Sequence, residues 1–162
     1  MQHPTHTKVE PLHTAAHIAN GVYTVENLHT GAHCTFKIRS KPMDAKTYPG
    51  SRQVYGLVGP DNSWDSENWM YLGHITENHK FGYYRFCNDN KWKLKAEFFI
   101  NLLNLRAING RVPGGVAIHE ASRCLRCNRE LTVPSSILAN YGPDCAEIMG
   151  YEMPKRKKKE AV

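Results

Sequence analysis

The stretch GVYTVENLHTGAHCTFKIRS (residues 21–40) alternates with period two on both sides of a glycine-bearing connection, LHTGA. In its second half Cys34, Phe36 and Ile38 fall on one face, and Thr35, Lys37 and Arg39 on the other. That is the spacing of an extended strand, not of a helix. Two such runs joined by a short glycine-containing loop read as an antiparallel hairpin. Cys34 then counts as a small core residue.

Downstream, the turn-rich KPMDAKTYPG (41–50) leads to a third alternating run, RQVYGLV (52–58). A polar loop, GPDNSWDSEN (59–68), separates it from WMYLGHI (69–75), and TENH joins that run to KFGYYRF (80–86). Together these predict a meander of about five antiparallel strands. At residues 88–110, NDNKWKLKAEFFINLLNLRAING, the period lengthens to that of a helix. Leu94, Phe98, Leu102 and Leu105 form an apolar stripe, widened by Phe99 and Leu103, that is expected to lie on the sheet. Asp89 or Asn90 suits the N-cap and Gly110 the stop. RVPGG (111–115) closes this part. The fold class expected is α+β: an antiparallel sheet, one packing helix and a C-terminal module.

That module, HEASRCLRCNRELTVPSSILANYGPDCAEI (119–148), holds Cys124, Cys127 and Cys145, three of the five cysteines in 162 residues. Unconnected thiols would have to cluster there by accident. A C-x2-C turn offers two thiolates to one ion, and Zn2+ takes four Cys or His ligands tetrahedrally. His119, Cys124, Cys127 and Cys145 are therefore the expected ligands of one structural zinc, with Cys87 or a histidine of the sheet as substitutes for His119. Asn128 stands where such a turn needs positive φ, which asparagine tolerates. Pro143 can open a helix that places Cys145 in its first turn. Between them, Ile137 and Leu138 can form a miniature core. The context HEA does not supply the H-x-E of a zinc deaminase.

CLRCNRELTVPSSILANYGPDCA (124–146) resembles the C-terminal zinc-binding module of a family of small phage and prophage proteins. Its pattern runs approximately C-x2-C-G-R-x-L-T-x-P-x-S-I, then G-x-G-P-x-C. The match covers Cys124, Cys127, Arg129, Leu131, Thr132, Pro134, Ser136, Ile137, Gly142, Pro143 and Cys145. Asn128 and Asn140 replace glycines of that pattern. A histidine shortly before the first cysteine is similar in the family, which implies a role for His119. The region around YTVENLHTGAHCTFKIRS and VYGLVGPDN is similar, more loosely, to the β-rich part that precedes the module. The resemblance implies architecture and a phage setting, with no activity attached.

The formal charge of +6 is unevenly spread: residues 151–162 hold five of the 21 basic side chains and two of the 15 acidic ones. The organisation expected is a mobile arm (1–19), a sheet-and-helix domain (20–112), the zinc module (113–150) and a basic disordered tail (151–162). The irregularly spaced His3, His6, His13 and His17 of the arm read as solvated side chains. No run reaches the ~18 apolar residues of a membrane span, and residues 1–20 do not read as a secretory leader. An odd number of cysteines, not spaced as a disulfide framework, points to a reducing compartment, here the cytoplasm of a bacterial host cell. No P-loop, dinucleotide fingerprint or G-x-S-x-G elbow occurs. The reading is thus a non-enzymatic phage-type accessory protein that binds nucleic acid. Arg123, Arg126 and Arg129 on the knuckle and Lys155, Arg156, Lys157, Lys158 and Lys159 in the tail would meet phosphates. For the three arginines, neutralisation of the thiolates is the competing role. The alternative function is a protein-binding module, such as an inhibitor of a host defence enzyme, anchored by Trp64, Trp69, Tyr71, Tyr83 and Tyr84.

Overall fold

The structure, a computed structural model, describes residues 18–154. Most of the N-terminal arm and the tail residues Lys155, Arg156, Lys157, Lys158 and Lys159 lie outside the described residues. Five strands follow in a meander: β1 (Gly21–Asn27), β2 (His33–Ser40), β3 (Arg52–Leu57), β4 (Trp69–Ile75) and β5 (Phe81–Tyr83). The helix α1 (Asn90–Asn109) comes next, and then a sixth strand, β6 (Val116–Glu120). Every pairing is antiparallel, in the order β5-β4-β3-β2-β1-β6. β6 corrects the expected organisation. Residues 116–120 return to pair with β1, Thr24 opposite His119 and Val25 opposite Ile118. They belong to the sheet and not to the cysteine module.

The helix ends follow the caps read from the sequence. The Asp89 carboxylate accepts from the Trp92 backbone N–H, and Gly110 takes the left-handed conformation with φ 71°. The buried face is different from the expected stripe. Ala96, Phe99, Ile100, Leu102 and Leu103 are buried, whereas Leu94, Phe98 and Leu105 are exposed. Small residues set this phase. A Cβ on Gly56 would stand 2.6 Å from the Trp92 ring, so glycine in β3 makes room for the indole. Ala96, fully buried, lets the helix approach closely one turn later. At the centre Phe99 stacks on Phe36 at 4.4 Å with 6° between the ring planes. Ile38, Val54 and Leu72 fill the sheet side of the same core.

The opposite face of the sheet is polar yet largely covered. Thr24, Glu26, Thr35 and Lys37 point away from α1 and are all buried. Lys37 is enclosed by the rings of Tyr55, Trp64 and Trp69, with its Nζ 5.0, 5.0 and 4.6 Å from their centroids. It also donates to the Trp64 carbonyl at 2.6 Å. Burial and the nearby Arg39 lower its pKa, while Asp65 and Glu130 act in the opposite sense. This contact fastens the connection between β3 and β4 to the sheet. No helix among the described residues is long and apolar enough to cross a membrane.

Candidate metal centre

The segment after β6 builds a small unit of its own. β7 (Ser122–Arg123) and β8 (Glu130–Leu131) pair antiparallel across the knuckle, followed by α2 (Pro134–Ala139) and α3 (Pro143–Ile148). The Cys124 N–H donates to the Arg129 carbonyl at 2.8 Å, and the Asn128 N–H to the Cys124 carbonyl at 2.9 Å. Closing so tight a turn requires a left-handed residue, and Asn128 supplies it with φ 60°. Asn140, at φ 60°, ends α2 in the same way. Replacing Asn128 by valine should cost about 1–2 kcal/mol, because a β-branched side chain is strained in that region, whereas glycine should be tolerated. Denaturant unfolding of the zinc-loaded variants checks this. Equal stability of the two variants would contradict it.

Pro143 occupies the first turn of α3, and Cys145 in that turn is buried. The ligand atoms of Cys124, Cys127 and Cys145 all lie within 4.8 Å of one another. They line a cavity of about 190 Å³ together with Asn62, Ser136 and Asp144 among others. The three cysteines are free thiols. Backbone N–H groups of Cys127 and Gly142, with a further one from Arg126, hold the Cys124 thiol down to about 6. For Cys145, the Arg126 guanidinium pulls downward from 3.7 Å, but burial and the adjacent Cys127 and Cys124 outweigh it and raise the pKa. Three sulfurs this close cannot all ionise without a cation, and a divalent ion deprotonates coordinating thiols outright. The donor set is soft and suits zinc.

His119, the expected fourth ligand, is not in this group. It lies on β6 with Nε2 2.8 Å from Glu26 Oε2, both side chains mostly buried. Opposite Thr24 in the register, it shares the face on which the module sits, but its ring is engaged by the Glu26 carboxylate and not by the sulfurs. Cys87 also stays away, in the main core. The miniature core consists of Cys124, Leu131 and Cys145 with Ile137 and Tyr141 against them, while Leu138 is exposed. The three arginines are exposed but serve different contacts. Arg126 faces Cys145, Arg123 donates to the Asn128 carbonyl at 3.1 Å, and Arg129 lines the surface beside Asp61.

What seats the module on the sheet had no signal in local spacing. The Thr24 hydroxyl bridges Thr35 Oγ1 at 2.9 Å and donates to the Thr132 carbonyl at 2.7 Å. Asn62, in the connection fastened by Lys37, donates to the Glu130 carbonyl at 3.2 Å and to Thr132 Oγ1 at 2.9 Å. The three bonds to the module join residues 68 to 108 positions apart.

No curated protein and no solved structure matches the chain. A family model described as a family of unknown function (DUF6011) matches residues 120–150. The match starts where β6 ends and covers the whole cysteine unit, so this chain carries a segment similar to that family behind a six-stranded antiparallel sheet.

Proposed function

We propose that the chain is a non-enzymatic, phage-type accessory protein whose cysteine centre holds a structural zinc and whose partner is nucleic acid. The observation that carries the structural role is the composition of the module's core. Two of its three buried cluster members are the ligands Cys124 and Cys145 themselves. A unit of some thirty residues whose other buried apolar groups are Leu131 and the small Pro134, Ala139 and Ala146 needs a staple, and a metal is the usual one. Support for nucleic acid comes from charge held in place by that staple. Arg123 and Arg126 are tied to the knuckle, and Arg129 stands beside it, exposed. With the lysine-rich tail they supply phosphate contacts.

The test is a titration of labelled duplex and single-stranded oligonucleotides with zinc-loaded protein at several salt concentrations. Affinity should fall with a log–log slope of about 0.9 per neutralised phosphate for duplex and about 0.7 for single strands. Deleting residues 155–159 should flatten that slope for every sequence, since a lysine arm contacts phosphates and reads no bases. Absence of binding to any oligonucleotide at low salt would overturn the reading.

One observation favours the alternative of a protein partner, such as a host defence enzyme to be inhibited. Leu94, Phe98, Leu105 and Ile108 lie exposed along one side of α1, at the spacing of helix-in-groove anchors. A nuclease-resistant complex that Phe98→Asp abolishes would support it.

A further inference from the structure

We propose that the outer face of β3 and β4 is a binding groove for single-stranded nucleic acid. This inference rests on the nucleic-acid reading above but places the contact on a different surface. The cysteine module is hydrogen-bonded to β1 through Thr24 and does not reach this part of the sheet's outer face. Here the 41–51 connection and the residues after β5 enclose a groove of about 820 Å³. Register makes it possible. The β3–β4 pairing shifts between Val54 and Tyr55, leaving Leu72 as an extra residue. Tyr71, opposite Tyr55, and His74, opposite Gln53, therefore share one face although three positions apart. Strict alternation would have separated them.

The lining combines flat rings with positive charge. Tyr71, Tyr84 and Phe86 form a continuous run, with successive centroids 4.8 and 5.5 Å apart. Phe86 is 62% exposed and Tyr48, from the 41–51 connection, is 80% exposed. These rings are placed at a surface where the core gains nothing from them. Lys41 and Arg85 line the same groove, and no carboxylate does. The Arg85 guanidinium lies 4.5 Å over the Phe86 ring, so charge and stacking surface are presented together. Lys41 Nζ donates to the carbonyl and hydroxyl of Thr47, both at 3.1 Å, which holds the connection in place. Glu97 meets the rim by accepting from the Tyr83 hydroxyl at 2.7 Å.

Unstacked bases offer π faces to such rings, and their phosphates offer charge to Lys41 and Arg85. A duplex hides the base faces in its own stack, so it would meet only the cations. An apolar peptide would fill the aromatic wall and leave both cations without a counter-charge. A single strand uses both features.

The experiment uses the full-length zinc-loaded chain, with fluorescence anisotropy of labelled dT and rU 12-mers and of a duplex of equal length, from low salt to about 0.2 M. The single strands should bind more tightly than the duplex. Tyr84→Ala and Phe86→Ala should each weaken single-strand binding roughly 5- to 150-fold, the range for losing one base–ring stack, and Phe86→Trp should restore it. Lys41→Ala and Arg85→Ala should each lower the salt slope by about 0.7. Zinc content and unfolding midpoint are read on every variant, so that a folding defect is not mistaken for lost contact. If the groove variants bind like the parent while Arg123→Ala with Arg129→Ala weakens binding, the groove is overturned and the module reading stands. Equal affinity for duplex and single strands also overturns it. If the parent binds no oligonucleotide at low salt, both nucleic-acid readings fall and the groove passes to a protein partner.

Discussion

Cys124→Ser should purify without zinc, where the parent should purify with one ion per chain, and its residues 122–150 should lose amide protection. Metal binding to structural sites of this type contributes on the order of 10 kcal/mol, and here little else would hold the unit together. Leu131, Ile137 and Tyr141 are the only apolar side chains in its cluster besides the ligands. The serine hydroxyl is a poor replacement for a thiolate that the backbone N–H groups of Cys127 and Gly142 already favour in ionised form. Cys145→Ser should behave alike. His119→Ala serves as the counterpart: it should retain the zinc, since His119 is engaged by Glu26 and stands outside the three-sulfur group. Loss of zinc in His119→Ala, or full retention in Cys124→Ser, would refute this assignment of ligands.

Loss of the module should leave the rest folded, because the main core under α1 and the module's cluster share no member and hydrogen bonds tie the two units together. The module meets the sheet through Thr24, Thr132 and Asn62. Releasing it returns hydroxyls and amides to water, at a net cost of only about 1 kcal/mol per hydrogen bond. Amides of β1–β4 and α1 should therefore stay protected in Cys124→Ser. Collapse of protection across the whole chain would show that the zinc supports the sheet as well.

The same polar interface explains which parts of the architecture were legible in the sequence. The strands of the meander were readable because one face of each, such as Phe36 and Ile38, packs on α1 and alternates with polar residues. That alternation normally marks the polar face as solvated. Here Thr35 and Lys37 are buried under a second layer, and nothing in their spacing announces it. β6 was hidden because VAIHE leads directly into the cysteine segment, and adjacency in sequence made His119 look like a ligand. A carboxylate 93 residues away, Glu26 on β1, engages its ring instead. The helix phase was ambiguous because α1 is apolar on several sides. Leu94, Phe98 and Leu105 compete in pattern with Phe99, Ile100 and Leu103, and only the small residues Gly56 and Ala96 reveal the contact face. The three-cysteine cluster was legible because its ligands come from one short segment with turn chemistry of its own.

Phe99→Ala should destabilise the sheet-and-helix unit by about 3–5 kcal/mol, the usual cost of removing a buried phenylalanine from a well-packed core. Phe99 is fully buried, stacks on Phe36 and touches the Tyr23 ring at 5.7 Å between centroids. Urea unfolding followed by tryptophan fluorescence measures the loss, since Trp92 packs edge-on against Phe36 at 5.7 Å. Zinc stoichiometry should not change in folded Phe99→Ala protein, because the thiol ligands belong to the second cluster, which shares no member with the first. The two substitutions are then complementary: one removes the metal and spares the helix core, and the other weakens the helix core and spares the metal. A stability loss below about 1 kcal/mol would mean that the stacked pair is not the centre of the core. Zinc lost in proportion to stability would mean that the two clusters fold as one.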